Sequence, residues 1–335
     1  MFTTASGIGE AARLEYQSIR RDNPDTFAFN LSPALKQEDM VPEIDLIADL
    51  PDTERGTLLF VINAPNLPFA MKVCRAASRP GWRRIGLWVW ELEVAPWGWE
   101  KCFPLLDELW FPSEYAARPF RVPGAPPIQV RPHRAVIAGH ISPRRSKFGL
   151  PSNCFAALTF ADAMSSFNRK NPLGAIKAFK VALGGRADAR LIVKIRNADR
   201  SPRHYAQLQS AADGAGNIDF TDGILSTREK LELIASCNVL ISLHRAEGFG
   251  LTLAEAQELG VPVVATGWSA NTEFLRESDG TMVPARLIPV EDPGGPYARY
   301  SKAVWAEPDL NAAAAALSRM YGQWQAAGAM RQIAT

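Results

Sequence analysis

Two carboxylates and a glycine turn define the chemistry this chain could do. Glu247 and Glu255 have seven residues between them, and the string holding both, residues 244–271, reads HRAEGFGLTLAEAQELGVPVVATGWSAN. The apolar, β-branched run at 237–243 reads as a buried strand. Gly248-Phe249-Gly250 then reads as a turn, 251–259 as a helix and 261–265 as the next strand. Gly260 sits where a left-handed residue closes a helix. Strand, turn and helix in this order bring the helix-start N–H groups, here near Gly250, Leu251 and Thr252, to the carboxyl edge of a sheet, where anions bind. Glu247 precedes the turn and Glu255 falls on the first turn of the helix. Both can therefore address one ligand whose phosphates rest on the helix start. Lys170, Lys194 and Arg245 are the cations that would offset such charge. Plainer readings stand beside these: Thr252-Leu-Ala-Glu255 is also a capping-box pattern, and a lone lysine is most often solvated.

The frame that must position these groups is an α/β one. At 335 residues the chain exceeds what a single core sustains and should form two domains. Hydrophobic content of 47% and charged content of 21% are those of an ordinary globular protein. A net charge of +2 argues against a nucleic-acid binder. Cys74, Cys102, Cys154 and Cys237 are scattered without a C-x-x-C pair, which suits a reducing compartment and neither a disulfide framework nor a zinc site. With no signal peptide and no apolar run long enough to span a bilayer, a cytoplasmic protein is expected, one that could still meet a membrane-bound acceptor peripherally.

Along the chain, Gly7-Ile-Gly9 enters a helix over 10–21. Strands are expected at 26–31, 57–63, 84–90 and 105–112, with a helix at 69–77 and another opened by Ser113 and Glu114. Trp88 reads as core; Trp90, Trp97 and Trp99 read as core, rim or a stacking surface beside a cleft. Residues 121–134, with four prolines and a glycine, read as an interdomain linker without regular structure, which divides the chain into 1–134 and 135–335. His133 in that linker reads as a surface histidine and His244 as a buried strand end. The second domain alternates cleanly. Strands are expected at 135–141, 155–160, 191–195 and 218–220. Helices are expected at 172–183, with Asn171 at the N-cap and Pro172 at N1, at 202–212, and from the Ser226–Glu229 capping box to 236. Trp268 to Asn271 could line a pocket, 289–296 is a Pro/Gly loop, and residues 305–309 open a final helix over 310–325.

The string around Glu247 and Glu255 resembles the nucleotide-sugar site of the retaining glycosyltransferases of family 4 (group 1). SGIGEAAR at the start, SFNRKNPLGAIKAF and WAEPDLNAAA are similar to other segments of that family. GLWVWELEV with DELWFPSEYAA resembles a signature of one bacterial branch. The resemblance implies the GT-B fold, two Rossmann-like domains facing each other across a cleft with the donor held mainly by the C-terminal one. It implies that Glu247 contacts the donor sugar and that Glu255 holds the ribose hydroxyls. The diphosphate would lie on the backbone from Gly248 and Phe249 to Thr252, with Lys170 and Lys194 as its ligands. Arg245, Asn271, Gly7 and Gly9 complete the implied set. The expected reaction moves a sugar from a nucleoside-diphosphate sugar to a hydroxyl of a glycan or lipid-linked acceptor, with retention, no metal and no cofactor, as in polysaccharide biosynthesis. A nucleotide-sugar epimerase, a glycoside phosphorylase and a non-catalytic nucleotide-sugar binder are the alternatives. The family carries a strand before the first glycine turn, and almost nothing precedes Gly7 here. Either the first sheet lacks that strand, or about five or six apolar residues lie upstream of Met1 and the 335-residue form is poorly soluble or inactive.

Overall fold

Alternation of side chains along apolar strands builds the largest of the parallel sheets among the described residues. The computed structural model describes residues 1–41, 43–134 and 139–333. The chain divides into two units, Met1–Ala138 with Glu247–Leu251, and Gly139–Ala246 with Thr252–Thr335.

In the first unit, α1 (Gly7–Asp22) is followed by β1 (Ala28–Phe29) and β2 (Leu46–Ile47), which pair parallel to each other. Then come β3 (Gly56–Val61), α2 (Leu67–Val73), β4 (Trp82–Leu87), β5 (Glu108–Phe111), α3 (Glu114–Ala117) and β6 (Ile128–Val130). The last four strands form a parallel sheet in chain order, β3-β4-β5-β6. The expected strand at 26–31 shrinks to two residues. The stretch 121–134, expected to lack regular structure, contains β6, whose Ile128 to Val130 pair with Leu109 to Phe111. Its prolines flank the strand, and an edge strand tolerates them there because only one side must donate. Ser113 caps α3 by accepting from the Ala116 N–H, as the sequence suggests. Trp88 is fully buried, edge-on to Trp99, Phe111 and Phe120 and stacked on Phe103. Trp90 and Trp99 are buried too, while Trp97 is 80% exposed with Lys101 over its ring.

The second unit holds β7 (Phe155–Asp162), α4 (Phe167–Lys170), α5 (Pro172–Leu183), β8 (Ala189–Arg196), α6 (Pro202–Ala212), β9 (Ile218–Thr221), α7 (Thr227–Ala235) and β10 (Val239–Ser242). After them come α8 (Leu251–Glu258), β11 (Val263–Thr266), β12 (Gly280–Val283), β13 (Ala285–Pro289), β14 (Val304–Pro308) and α9 (Leu310–Ile333). Six strands form a parallel sheet in the order β12-β11-β10-β7-β8-β9. Both faces are covered. Phe155, Ala157, Leu191, Val193 and Ile241 pack with Phe179 of α5 and Leu317 of α9. Their neighbours Ala156, Leu158, Ile192 and Leu240 turn the other way, onto Leu233 and Ile234 of α7 and Leu253 of α8. A strand buried on both faces reads as an unbroken apolar run, which is why these strands are visible in the sequence.

Caps fall where expected. Asn171 accepts from the Gly174 N–H with Pro172 at N1, and Ser226 and Glu229 form a reciprocal capping box. Gly260, at φ +67°, closes α8 as the Val261 N–H reaches the Ala256 carbonyl and its own N–H reaches Gln257. Two expectations change. The strand placed at 135–141 falls partly on residues 135–138, outside the described residues, and Gly139 to Ile141 form no strand. Residues 305–308, expected to open the last helix, belong to β14, which pairs antiparallel with β13. Their Val-Trp-Ala register buries Trp305 against Tyr297, and Pro308 stops the strand before α9 begins.

All four cysteines are free and buried, and burial pushes each thiol up, Cys237 to about 12. Among the described residues no helix is long and apolar enough to cross a membrane.

Candidate functional site

The strand order of the second sheet reverses between β7 and β10. In doubly wound sheets the crevice outside the carboxyl ends of two such strands is where ligands bind, because the following loops turn away from each other there. Here the loops after β7 and β10 are also stitched together. The Arg245 N–H donates to the Arg169 carbonyl at 2.7 Å, and the Arg169 guanidinium, buried, donates to the Ala246 carbonyl at 2.7 Å. Asn171 donates to the Leu243 carbonyl at 2.9 Å while it caps α5. Its left-handed φ of +48°, tolerable for asparagine, lets one residue end α4 and begin α5. Lys170, half-buried, is the last residue of α4 at this junction.

Arg245, the third candidate cation, is engaged within the protein. Its guanidinium pairs with Glu307 of β14 at 2.6 Å, donates to the Asn168 carbonyl and lies over Trp305. His244 is fully buried, as its strand-end position suggests. Its ring nitrogens meet Ser242 Oγ at 3.0 Å and Asn271 Oδ1 at 3.0 Å. Asn271, also fully buried, donates to the Thr266 carbonyl, so its amide joins the ends of β10 and β11.

Glu255 is buried on α8, and its Oε1 lies 2.6 Å from the Lys230 ammonium on α7. Lys194, on β8, is buried and donates to the carbonyls of Ile195, Thr221 and Gly223 at 3.1, 3.2 and 2.5 Å. Burial holds its ammonium below the ordinary lysine range, which Asp222 offsets and Arg196 reinforces. Three carbonyl acceptors make it the organiser of the loop that follows β9. Asp162, at the end of β7, is paired with Arg196 and Asn197; burial works against its charge, but these partners hold its carboxyl below the usual range.

The segment Glu247–Leu251 groups with the first unit. Glu247 is 7% exposed. The Gly248 carbonyl accepts from Ser113 Oγ at 2.7 Å, and a Cβ on Gly248 would lie 2.5 Å from Val89. Only glycine fits that approach. Gly250 takes φ +101°, which again favours glycine. Phe249 lies edge-on to His133, with ring centroids 5.1 Å apart. His133 is 5% exposed and its Nδ1 meets Glu15 at 3.1 Å, so the expectation of a surface histidine is corrected. A buried carboxylate and an aromatic neighbour draw the imidazole inward.

At the chain start, Ser6 caps α1 by accepting from the Gly9 N–H. No strand precedes α1 among the described residues. Residues before it fold over the helix start instead: Arg13 donates to the carbonyls of Phe2 and Thr4, and a Cβ on Gly9 would lie 2.1 Å from the Thr4 carbonyl oxygen. Gly7 faces open space.

Residues 157–295 match the family model described as glycosyl transferases group 1. That stretch runs from β7 past β13 and contains the reversal point, Lys170, Lys194, Glu247 and Glu255. No curated protein sequence matches the chain. Among solved structures, it is similar to an Escherichia coli trehalose-6-phosphate protein bound with UDP-2-fluoro glucose, at 13% identity and a TM-score of 0.57, covering 81% of this chain and 66% of that one. Staphylococcus aureus TarM, solved with fondaparinux, α-GlcNAc-glycerol and UDP, matches at 10% identity and a TM-score of 0.52 over 79% of this chain and 48% of that one. Sucrose-phosphate synthase from Thermosynechococcus elongatus matches at 18% identity and a TM-score of 0.51, covering 75% and 61%. The chain thus spans about half to two thirds of the length of these structures. The fold it shares with them is the GT-B one, α/β with parallel sheets.

Lys230 is the residue that sequence reasoning missed. A signal was there: Lys230, Leu233, Ile234 and Cys237 fall at helical spacing, and the last three are core. A lysine in register with an apolar stripe must bring its ammonium to a partner.

Proposed function

We propose that the protein is a retaining glycosyltransferase that moves a sugar from a nucleoside-diphosphate sugar to a hydroxyl of a glycan or lipid-linked acceptor. The observation that carries the reading is the position of the group 1 match. It falls on the strands that flank the reversal point of the second sheet, where an α/β fold binds nucleotides. In this reading Glu255 accepts hydrogen bonds from the ribose hydroxyls, and Glu247 orients the donor sugar. The diphosphate rests on the N–H groups that open α8, at Gly250, Leu251 and Thr252, with Lys170 offsetting the charge that grows as the glycosidic bond breaks. Lys194 supports the same end of the sheet by holding the loop after β9 in place. Attack from the face of the departing phosphate needs no protein base and no metal, so none is assigned. Peripheral contact with a membrane would follow where the acceptor is lipid-linked.

The test is a screen of UDP-, GDP- and dTDP-sugars by thermal shift and donor hydrolysis. One base class should stabilise the protein by about 2–3 kcal/mol when present at a hundredfold excess over Kd. Its sugar should then be released slowly to water and faster to acceptor. Donor alone yielding an epimerised sugar would favour the epimerase instead, binding without any turnover would leave only a nucleotide-sugar binder, and no binding to any class would overturn the reading.

A further inference from the structure

We infer that Lys230 is a positioning residue for nucleotide recognition, fixing the Glu255 carboxylate in the charged form and orientation that takes a ribose. The inference rests on the ribose role given to Glu255 above. The pair joins two helices: Lys230 Nζ on α7 lies 2.6 Å from Glu255 Oε1 on α8, with side-chain exposures of 18% and 4%. Its geometry is held from both sides. The capping box of Ser226 and Glu229 fixes the start of α7 three residues before Lys230, and Leu233 and Ile234 share one core with Leu253 and Ala256 of α8. Neither helix can shift without opening that core.

The chemistry requires a cation at this point. A carboxylate so little exposed is disfavoured in its ionised form unless an opposite charge is near. Ribose hydroxyls must donate, and an ionised carboxylate accepts at both oxygens, whereas a protonated one spends an oxygen on its own proton. The other charged groups on the two helices are engaged elsewhere or point to solvent. Glu229 and Glu232 pair with Lys147, Arg228 pairs with Glu232, and Glu258 is exposed. Lys194 is committed to the carbonyls of Ile195 on its own strand, Thr221 of β9 and Gly223 in the loop that follows. Lys230 is a cation within hydrogen-bond reach of Glu255.

Titration calorimetry with UDP and GDP between about pH 6 and pH 8.5 tests this, using wild type, Lys230→Met and Lys230→Arg. Wild-type affinity should be nearly flat over that range. Lys230→Met should bind about tenfold more weakly at the alkaline end, the worth of one charged hydrogen bond, and progressively more weakly as the pH falls. The sign follows from the missing cation, since a buried carboxyl that loses a neighbouring positive charge is less readily ionised and is neutralised further on acidification. Lys230→Arg should stay close to wild type. The gap between UDP and its 2′,3′-dideoxy analogue should close in Lys230→Met, because the lost contact is the ribose one. A Lys230→Met protein that melts earlier but binds both nucleotides like wild type at every pH would overturn the inference and reduce the pair to a staple between helices. Tighter binding by Lys230→Met would overturn it too, showing that the ammonium competes with the ribose. Should wild type bind neither nucleotide, the role of Glu255 falls first and takes this inference with it.

Discussion

The starts of α1 and α8 look alike in the sequence, each a Gly-x-Gly run entering a helix, yet they are built to different ends. Above α1 the space is filled by the chain itself. Thr4 packs so closely over Gly9 that no Cβ fits, Ser6 caps the helix and Arg13 ties down two carbonyls. At α8 the glycines serve a turn: Gly248 passes beside Val89, Gly250 takes a left-handed φ, and Glu255 further along the helix pairs with Lys230 of α7. The spacing of glycines thus says only that backbone comes close to something. What it comes close to decides whether the turn holds structure or a ligand.

The comparison breaks most sharply at Gly9. Gly9→Ala should destabilise the first unit by roughly 3 kcal/mol or more, since a methyl group against a backbone carbonyl forces the chain apart. Nucleotide affinity of the molecules that remain folded should not change. A thermal scan with calorimetry reads both, and a variant that melts normally but loses nucleotide would make the two turns functionally alike.

At the α8 end, Lys170→Ala should lower kcat by roughly a hundredfold, the effect of removing one group that meets developing charge. Steady-state kinetics with the best donor checks it, and a change confined to KM would mean that Lys170 binds only ground-state phosphate. Glu255→Ala should weaken nucleoside-diphosphate binding by about 1–3 kcal/mol, with Glu255→Gln recovering little because glutamine brings no charge to the Lys230 ammonium and only one acceptor oxygen. Full recovery by glutamine would mean that the charge of Glu255 plays no part in binding. The smallest change in binding is expected at Glu247. Glu247→Ala should depress turnover yet alter affinity for the bare nucleoside diphosphate by less than about 0.5 kcal/mol, within the usual range for a group that makes no contact with the ligand. Equal weakening of sugar nucleotide and bare diphosphate in a binding assay would argue against a contact with the sugar.

Much of the frame was legible because its causes are local. The strands of the second sheet declare themselves by unbroken apolar runs, and Asn171-Pro172, Ser226 to Glu229 and Gly260 mark helix ends through bonds that span a few residues. What escaped depends on distant partners. The strand β6 lies among prolines and exists because β5 offers it a ladder, and β13 and β14 stabilise each other across a long loop. The burial of His133 is set by Glu15, 118 residues away, and the placement of Lys230 by Glu255 on the next helix. The candidate residues were named from the chain alone, but the pairing of Lys230 with Glu255 depends on how α7 lies beside α8.

The buried cysteines have a practical consequence. Cys74 and Cys102 lie in the first unit, Cys154 and Cys237 in the second, and all four are kept protonated and enclosed by burial. A thiol reagent can reach them only when the surrounding structure opens. Labelling rates, resolved by peptide mass, therefore report on the opening of each unit separately. A donor nucleotide that slowed the labelling of Cys154 and Cys237 while leaving Cys74 and Cys102 unchanged would locate its binding energy without any substitution in the chain.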